Sequence, residues 1–204
     1  MKKTNKFIYL ISPKKILSSS FYSDLDKILK TKKIFFFQLR LKKESKQKVI
    51  KIANRIKKLT KKHNVKFIIN DDPNLAIKID ADGCHIGQKD FNIKKARKIL
   101  KNKILGVTCH NSLRLAKEAI NNKADYLAFG SFYHSKTKKT IYKANIKTLH
   151  LVKKTSNIPI VAIGGINSDN YKKLLLNKAN FLAISGFVWN NKKYKPLIAI
   201  KKLK

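Results

Sequence analysis

The 204 residues include 48 Lys or Arg against 11 Asp or Glu, for a formal charge of +37. That length suits one domain with a real core, and a hydrophobic content of 43% excludes a disordered basic tail. No apolar run approaches the ~18 residues that span a bilayer, and Phe7–Ile11, after Lys2, Lys3 and Lys6, is too short for the core of a secretion signal.

Eight short β-branched and aromatic runs follow one another along the chain: Lys6–Ile11, Ile34–Leu39, Lys66–Asn70, Gly83–Ile86, Ile104–Val107, Tyr126–Phe129, Ile160–Ile163 and Phe181–Ile184. Between them lie Lys-rich helical patterns at Ser45–Lys62, Ile93–Lys101, Ser112–Asn122, Asn145–Thr155 and Ser168–Asn177. In the first of these, Val49, Ile52, Ala53, Ile56 and Leu59 step by three and four and form one face. Ser168 and Asn177 are expected to cap the last. Strands alternating with helices imply a parallel sheet, and near-continuous apolar strands such as Ile160–Ile163 suit burial on both faces. The count of eight favours a closed (β/α)8 TIM barrel, a single α/β domain over 1–204, above an open doubly wound sheet. No GxGxxG follows the first strand, which weighs against dinucleotide binding.

The charge invites a nucleic-acid reading. Only Arg40, Arg55, Arg97 and Arg114 among the basic residues are Arg; the rest are Lys. Lys, Asn, Ile and Phe abound, while Gly and Pro are scarce. Compositional drift accounts for this better than a nucleic-acid surface, where Arg would concentrate. Cys84 and Cys109 have no metal or disulfide spacing, which fits a reducing cytoplasm. Partners are therefore expected to be small phosphorylated molecules, with no nucleic acid and no membrane.

Unusual residues gather at strand ends. Gln38, Arg40 and Lys42 alternate at the end of the second run and share one face; a Gln, an Arg and a Lys facing a barrel interior need anionic partners. Asp71 and Asp72 follow the third run and Asp90 follows the fourth. Asp72 before Pro73 reads as a helix cap, and Asp71 with Asp90 reads as an Mg²⁺ site, which commonly uses one or two carboxylates plus substrate phosphates. Gly164-Gly165 and Ser185-Gly186 end the seventh and eighth runs, the loops that bind phosphate through backbone N–H groups in many barrels. Lys138 ends a polar loop after the sixth run. His85 inside the fourth run is either a satisfied core histidine or a group with a direct chemical role.

These blocks resemble the thiamine-phosphate synthase family, a (β/α)8 barrel. They are, in order, Gln38-Leu39-Arg40-Leu41-Lys42, Ile69-Asn70-Asp71, Gly83 to Asp90, Gly106-Val107-Thr108, Ala124-Asp125-Tyr126, Gly130 to Lys138, and Val161 to Ile166. The resemblance implies a transferase that joins a pyrimidine diphosphate to a thiazole phosphate and releases pyrophosphate. It implies that Gln38, Leu39, Arg40, Leu41, Lys42, Asn70, Thr108 and Lys138 hold the diphosphate. Arg40, Lys42, Thr108 and Lys138 would carry the catalytic roles, and Asp71 and Asp90 would hold Mg²⁺. Ser135, Lys136, Thr137, Gly165, Ile184 and Ser185 would hold the thiazole phosphate. The sequence departs from the family pattern at Leu41 (usually Glu), Thr108 (usually Ser), Ser135 (usually Thr) and Asp72 (often Arg), and at Ser131 and His134 (usually Pro). The related thiazole tautomerase is the alternative within the fold, but it usually carries His where this chain has Ser131. A basic nucleic-acid-binding barrel is the alternative from another class.

Overall fold

A computed structural model describes residues 6–135 and 141–204. Among these residues eight strands pair in parallel, each with the next, and the last closes on the first. They are β1 (Ile8–Ile11), β2 (Ile34–Leu39), β3 (Lys66–Asn70), β4 (Gly83–Ile86), β5 (Ile104–His110), β6 (Tyr126–Phe129), β7 (Ile160–Ile163) and β8 (Phe181–Ile184). The helices are α1 (Ser20–Leu29), α2 (Lys46–Lys62), α3 (Pro73–Lys78), α4 (Ile93–Leu100), α5 (Leu113–Asn121), α6 (Ile146–Thr155), α7 (Tyr171–Leu176), α8 (Gly186–Trp189) and α9 (Pro196–Lys202). No described helix is long and apolar enough to cross a membrane.

Strand alternation divides the apolar residues between two cores. Ile8, Leu10, Phe37, Leu39, Phe67, Ile69, Leu105 and Val107 face the helices. Tyr9, Ile11, Phe36, Ile68, Tyr126, Ala128, Val161 and Ala183 fill the barrel, as closure of eight strands requires. The Phe35-Phe36-Phe37 run is core on both sides. A register shift between β1 and β2 inserts Phe35, so that Tyr9 pairs with Phe36. The Phe36 ring lies 5.0 Å from Tyr9, 5.3 Å from Tyr126 and 5.2 Å from Phe181.

Helices that leave the strand ends are tied by their caps. Ser45, Asp72, Asn92, Ser112 and Asn145 each accept an N–H from the third residue of the helix that follows. Ser168 does not cap α7. Asn167 Oδ1 takes the Asp169 and Asn170 N–H groups instead, and Ser168 Oγ bonds to Asp169.

At the opposite end a short pattern recurs three times. Asp80, Lys123 and Lys178 have left-handed φ; an Ala follows each, then Asp82, Asp125 or Asn180. Asp82 accepts the Phe67 N–H, Asp125 the Leu105 N–H and Asn180 the Ile160 N–H, each at 2.8 Å. The segments before β4, β6 and β8 are thus stapled to β3, β5 and β7, and an N–H near the start of each of those strands is satisfied. Arg97 reinforces this rim. Its guanidinium donates to the Lys101, Lys103 and Lys123 carbonyls and to Asp125, at 2.6–3.1 Å. Arg97→Ala is expected to cost about 1.5–3 kcal/mol, as for other bonds to charged groups, seen as a lower melting temperature. Arg97→Lys is not expected to rescue it, because an ammonium lacks the planar fork that reaches several carbonyls.

Candidate active site

The C-terminal strand ends build the mouth. Along β2 and the residues after it, Gln38, Arg40 and Lys42 take the inner side, while Leu39 and Leu41 are buried in the outer core. Leu41, where an acid is usual in the resembling family, therefore packs as an ordinary apolar side chain. Only the backbone of these two leucines can meet a ligand. The Arg40 N–H donates to Ser12 Oγ at 3.0 Å. Ser12 N–H in turn donates to the Gln38 carbonyl at 2.9 Å, and Ser185 Oγ donates to the Ser12 carbonyl at 3.1 Å. Ser12, which the sequence did not single out, thus joins the β2 end to the β8 end.

Asp71 follows β3 with φ of 65°, a left-handed conformation that short polar side chains tolerate best. Its N–H donates to the His85 carbonyl at 2.8 Å. Its carboxylate accepts from Asn70 Nδ2 at 2.5 Å and from Lys42 Nζ at 2.7 Å. Asp90, from the loop after β4, meets the same ammonium at 3.1 Å. Two carboxylates from separate strands therefore converge on one cation. Burial raises the Asp71 pKa, Lys42 offsets this in part, and Asp90 adds to the rise. Burial acts to lower the Lys42 pKa, but the two carboxylates outweigh it and hold the ammonium above its ordinary value. Asp72 does not join them. It caps α3 by accepting the Leu75 N–H at 2.8 Å, as expected.

Beneath the mouth runs a chain of buried polar groups. Gln38, 3% exposed, donates from Nε2 to Tyr9 Oη at 3.0 Å. Tyr9 Oη lies 2.7 Å from Tyr126 Oη, which lies 3.0 Å from His85 Nδ1. His85 Nε2 lies 2.8 Å from Thr108 Oγ1. Gln88 Nε2 bonds to the Thr108 carbonyl at 2.5 Å and steadies that strand end. His85 is thus bonded through both ring nitrogens.

The remaining candidates lie across the mouth. Gly165 has φ of 62°, and a Cβ there would come within 2.3 Å of the His134 carbonyl. The β6 loop lies directly on it, with Phe132 and Tyr133 donating to the Ile163 and Gly164 carbonyls. Gly165→Val would therefore displace this loop as well as crowd any phosphate. Ser131 donates its N–H to the Tyr142 carbonyl at 3.1 Å, a bond that Pro could not make. Ile184 points into the outer core, and Ser185 opens α8. Ser135 ends the described part of the loop; Lys136, Thr137 and Lys138 lie outside the described residues. The structure thus brings Gln38, Arg40, Lys42, Asn70, Asp71, Asp90 and Thr108 to one end of the barrel, with Gly165 and Ser185 at the later strand ends.

The sequence profile of the family described as "Thiamine monophosphate synthase" matches residues 8–188. The chain is 66% identical to "Thiamine-phosphate synthase" of Pelagibacter ubique over 199 residues, covering 98% of this chain and 96% of that one. The namesake from Nitrosomonas eutropha is 45% identical over 153 residues, 74% of this chain and 72% of that one. The solved structure of "Thiamine phosphate pyrophosphorylase" from Pyrococcus furiosus superposes with a TM-score of 0.85 at 26% identity, covering 98% of this chain and 94% of that one. With the barrel and its strand-end residues in place, the chain belongs to the thiamine monophosphate synthase family.

Proposed function

We propose that the chain joins hydroxymethylpyrimidine diphosphate to hydroxyethylthiazole phosphate at this mouth, giving thiamine phosphate and pyrophosphate. It is a transferase, a thiamine-phosphate diphosphorylase, acting on small phosphorylated substrates. Family membership carries the reaction. The observation that carries the site is the convergence of Lys42, Asp71 and Asp90 from three successive strand ends.

The residues suit Mg²⁺. The Lys42 ammonium is a stand-in cation between two carboxylates, and an all-oxygen pair suits a hard ion. Among the described residues no third His, Cys or acid joins them, leaving the other positions to water and substrate phosphate. Asp71 and Asp90 would hold the ion, which when bound would neutralise charge developing on the departing diphosphate.

The chain's own groups do the rest. Arg40 and Lys42 face the leaving group with fixed positive charge, and by resemblance Lys138 does the same. Gln38, Asn70 and Thr108 orient the pyrimidine. The pyrimidine amino group stabilises the cation left at the exocyclic carbon, so the displacement is largely dissociative, and the thiazole nitrogen then attacks. That nitrogen carries no proton to remove, so no strong general base is required. Gly165 and the Ile184-Ser185 backbone hold the thiazole phosphate, and by resemblance Ser135, Lys136 and Thr137 bind it too. Incubation with both substrates and Mg²⁺ is expected to yield thiamine phosphate, and excess chelator to stop it. No product from the parent protein would overturn this reading.

A further inference from the structure

Ser12 is a buried polar residue, 3% exposed, and each of its polar atoms helps to join two strand ends. It follows β1, which lies between β2 and β8. Its N–H donates to the Gln38 carbonyl at 2.9 Å, which continues the parallel ladder with β2. The next bond of such a ladder would run from the Arg40 N–H to the Ser12 carbonyl. Here the Arg40 N–H goes to Ser12 Oγ at 3.0 Å instead, and the Ser12 hydroxyl donates to the Pro13 carbonyl at 3.1 Å. The hydroxyl thus takes the carbonyl's place in the ladder. The carbonyl turns to the other neighbour and accepts from Ser185 Oγ at 3.1 Å. Pro13 has no N–H with which to resume the ladder. The preceding carbonyl, that of Ile11, accepts from Trp189 Nε1 at 2.7 Å, and the Trp189 ring lies 5.1 Å from Phe21. Two consecutive carbonyls therefore seat the β8 end and α8, while the Ser12 N–H and hydroxyl hold the β2 end.

We propose that Ser12 is a positioning residue for the complex with both substrates: it fixes the arm that faces the diphosphate relative to the backbone that holds the thiazole phosphate, and so aligns the pyrimidine carbon with the thiazole nitrogen. The proposal rests on the reading that the two phosphorylated substrates bind at these two strand ends. Ser12 is covered by the strands it joins, so it acts through Arg40 and Ser185. Each substrate meets only one of the two ends, so neither affinity alone reports the link. The step between them does, because reaction rates fall steeply when two bound reactants are held out of line. This holds for a dissociative displacement as well. The C–O bond to the diphosphate breaks with its electron pair on oxygen, and the cation is then captured by the lone pair of the thiazole nitrogen or returns to the diphosphate. A misplaced nitrogen loses that competition.

Two variants cut the link at different bonds. Ser12→Ala removes the acceptor of the Arg40 N–H, and Ser185→Ala removes the donor to the Ser12 carbonyl while keeping the Ser185 backbone. Each is expected to lower kcat by roughly fivefold to tenfold, the worth of one neutral hydrogen bond, and to leave the affinity for each substrate alone, read by calorimetry, unchanged. The two bonds act in series, so the double variant should be no slower than either single one. Ser12→Thr keeps the hydroxyl and is expected to keep the parent kcat. Weaker binding of either substrate with kcat intact, losses that add in the double variant, or a Ser12→Thr protein as slow as Ser12→Ala would overturn the proposal. Ser185→Ala gives the same split between kcat and affinity even where Ser12→Ala fails to fold. Hydrogen exchange supplies a readout without turnover: the Arg40 amide should be protected in the parent and in Ser12→Thr and exchange faster in Ser12→Ala. Equal exchange in all three would overturn the proposal. A parent that makes no thiamine phosphate would instead overturn the functional reading, while exchange at Arg40 would still decide whether Ser12 holds that strand end.

Discussion

Replacing Lys42 with Met is expected to slow thiamine phosphate formation by roughly 10²–10³-fold, as loss of one preorganised donor does elsewhere, while tightening Mg²⁺ binding to the free protein. The two effects have one cause. Lys42 holds Asp71 at 2.7 Å and Asp90 at 3.1 Å, so it competes for the carboxylates that would hold the ion. It must release them to reach the diphosphate. Met keeps the length of the side chain and removes the charge that both carboxylates face. Mg²⁺ should then raise the melting temperature of the variant more than that of the parent, because a ligand that binds only the folded state stabilises it. Calorimetric titration with Mg²⁺ and thermal melts check this without reference to turnover. Equal Mg²⁺ affinity in the two proteins would show that Lys42 does not compete.

Asp71→Asn is expected to lose turnover by a similar roughly 10²–10³-fold factor and yet melt no lower than the parent at neutral pH. The sign follows from burial, which raises the pKa of this carboxyl. A carboxyl whose folded pKa lies above its unfolded value opposes folding once pH has risen through that window, since the folded state must hold a charge it disfavours. A neutral amide of the same shape removes that penalty. The loss of the Lys42 bond acts the other way, but Lys42 keeps Asp90. Melting curves at pH 7 beside initial rates test both halves. A large fall in melting temperature would mean that Asp71 serves the fold rather than the site.

Much of this was legible because apolar strands and their ends carry the pattern. The runs Ile34–Leu39, Lys66–Asn70 and Ile160–Ile163 coincide with β2, β3 and β7. The strand β5 runs on to His110 because Thr108 faces inward across a bulge, and a reading based on apolar residues stops at Val107. The β1 strand begins at Ile8 rather than Lys6. The helix α1 carries Phe21, Leu25, Ile28 and Leu29 on its buried face, a helical spacing of four, three and one. Asp71 and Asp90 stood out because acids are scarce, and Gln38, Arg40 and Lys42 because they alternate. The link between Tyr9 and Tyr126 was not legible. Each tyrosine lies in an apolar run and reads as core, and β1 and β6 are not neighbours, so only barrel closure brings the two hydroxyls together. Nor does spacing show that Lys42 sits between the carboxylates, since that contact joins loops 29 and 48 positions away in sequence only through the barrel.

The staples at the far rim define a chemical requirement. Asn180 holds the Ile160 N–H at the same 2.8 Å at which Asp82 and Asp125 hold theirs. The backbone there asks for an oxygen lone pair and is indifferent to whether that oxygen bears a formal charge. The charge at Asp82 and Asp125 is then spare, and it is taken up by Lys66 and Arg97. At the mouth the reverse holds, because an amide at 71 retains the lone pair and loses the anion. One conservative exchange, acid to amide, should thus be nearly silent in strand pairing at one end of the barrel and disabling for the chemistry at the other.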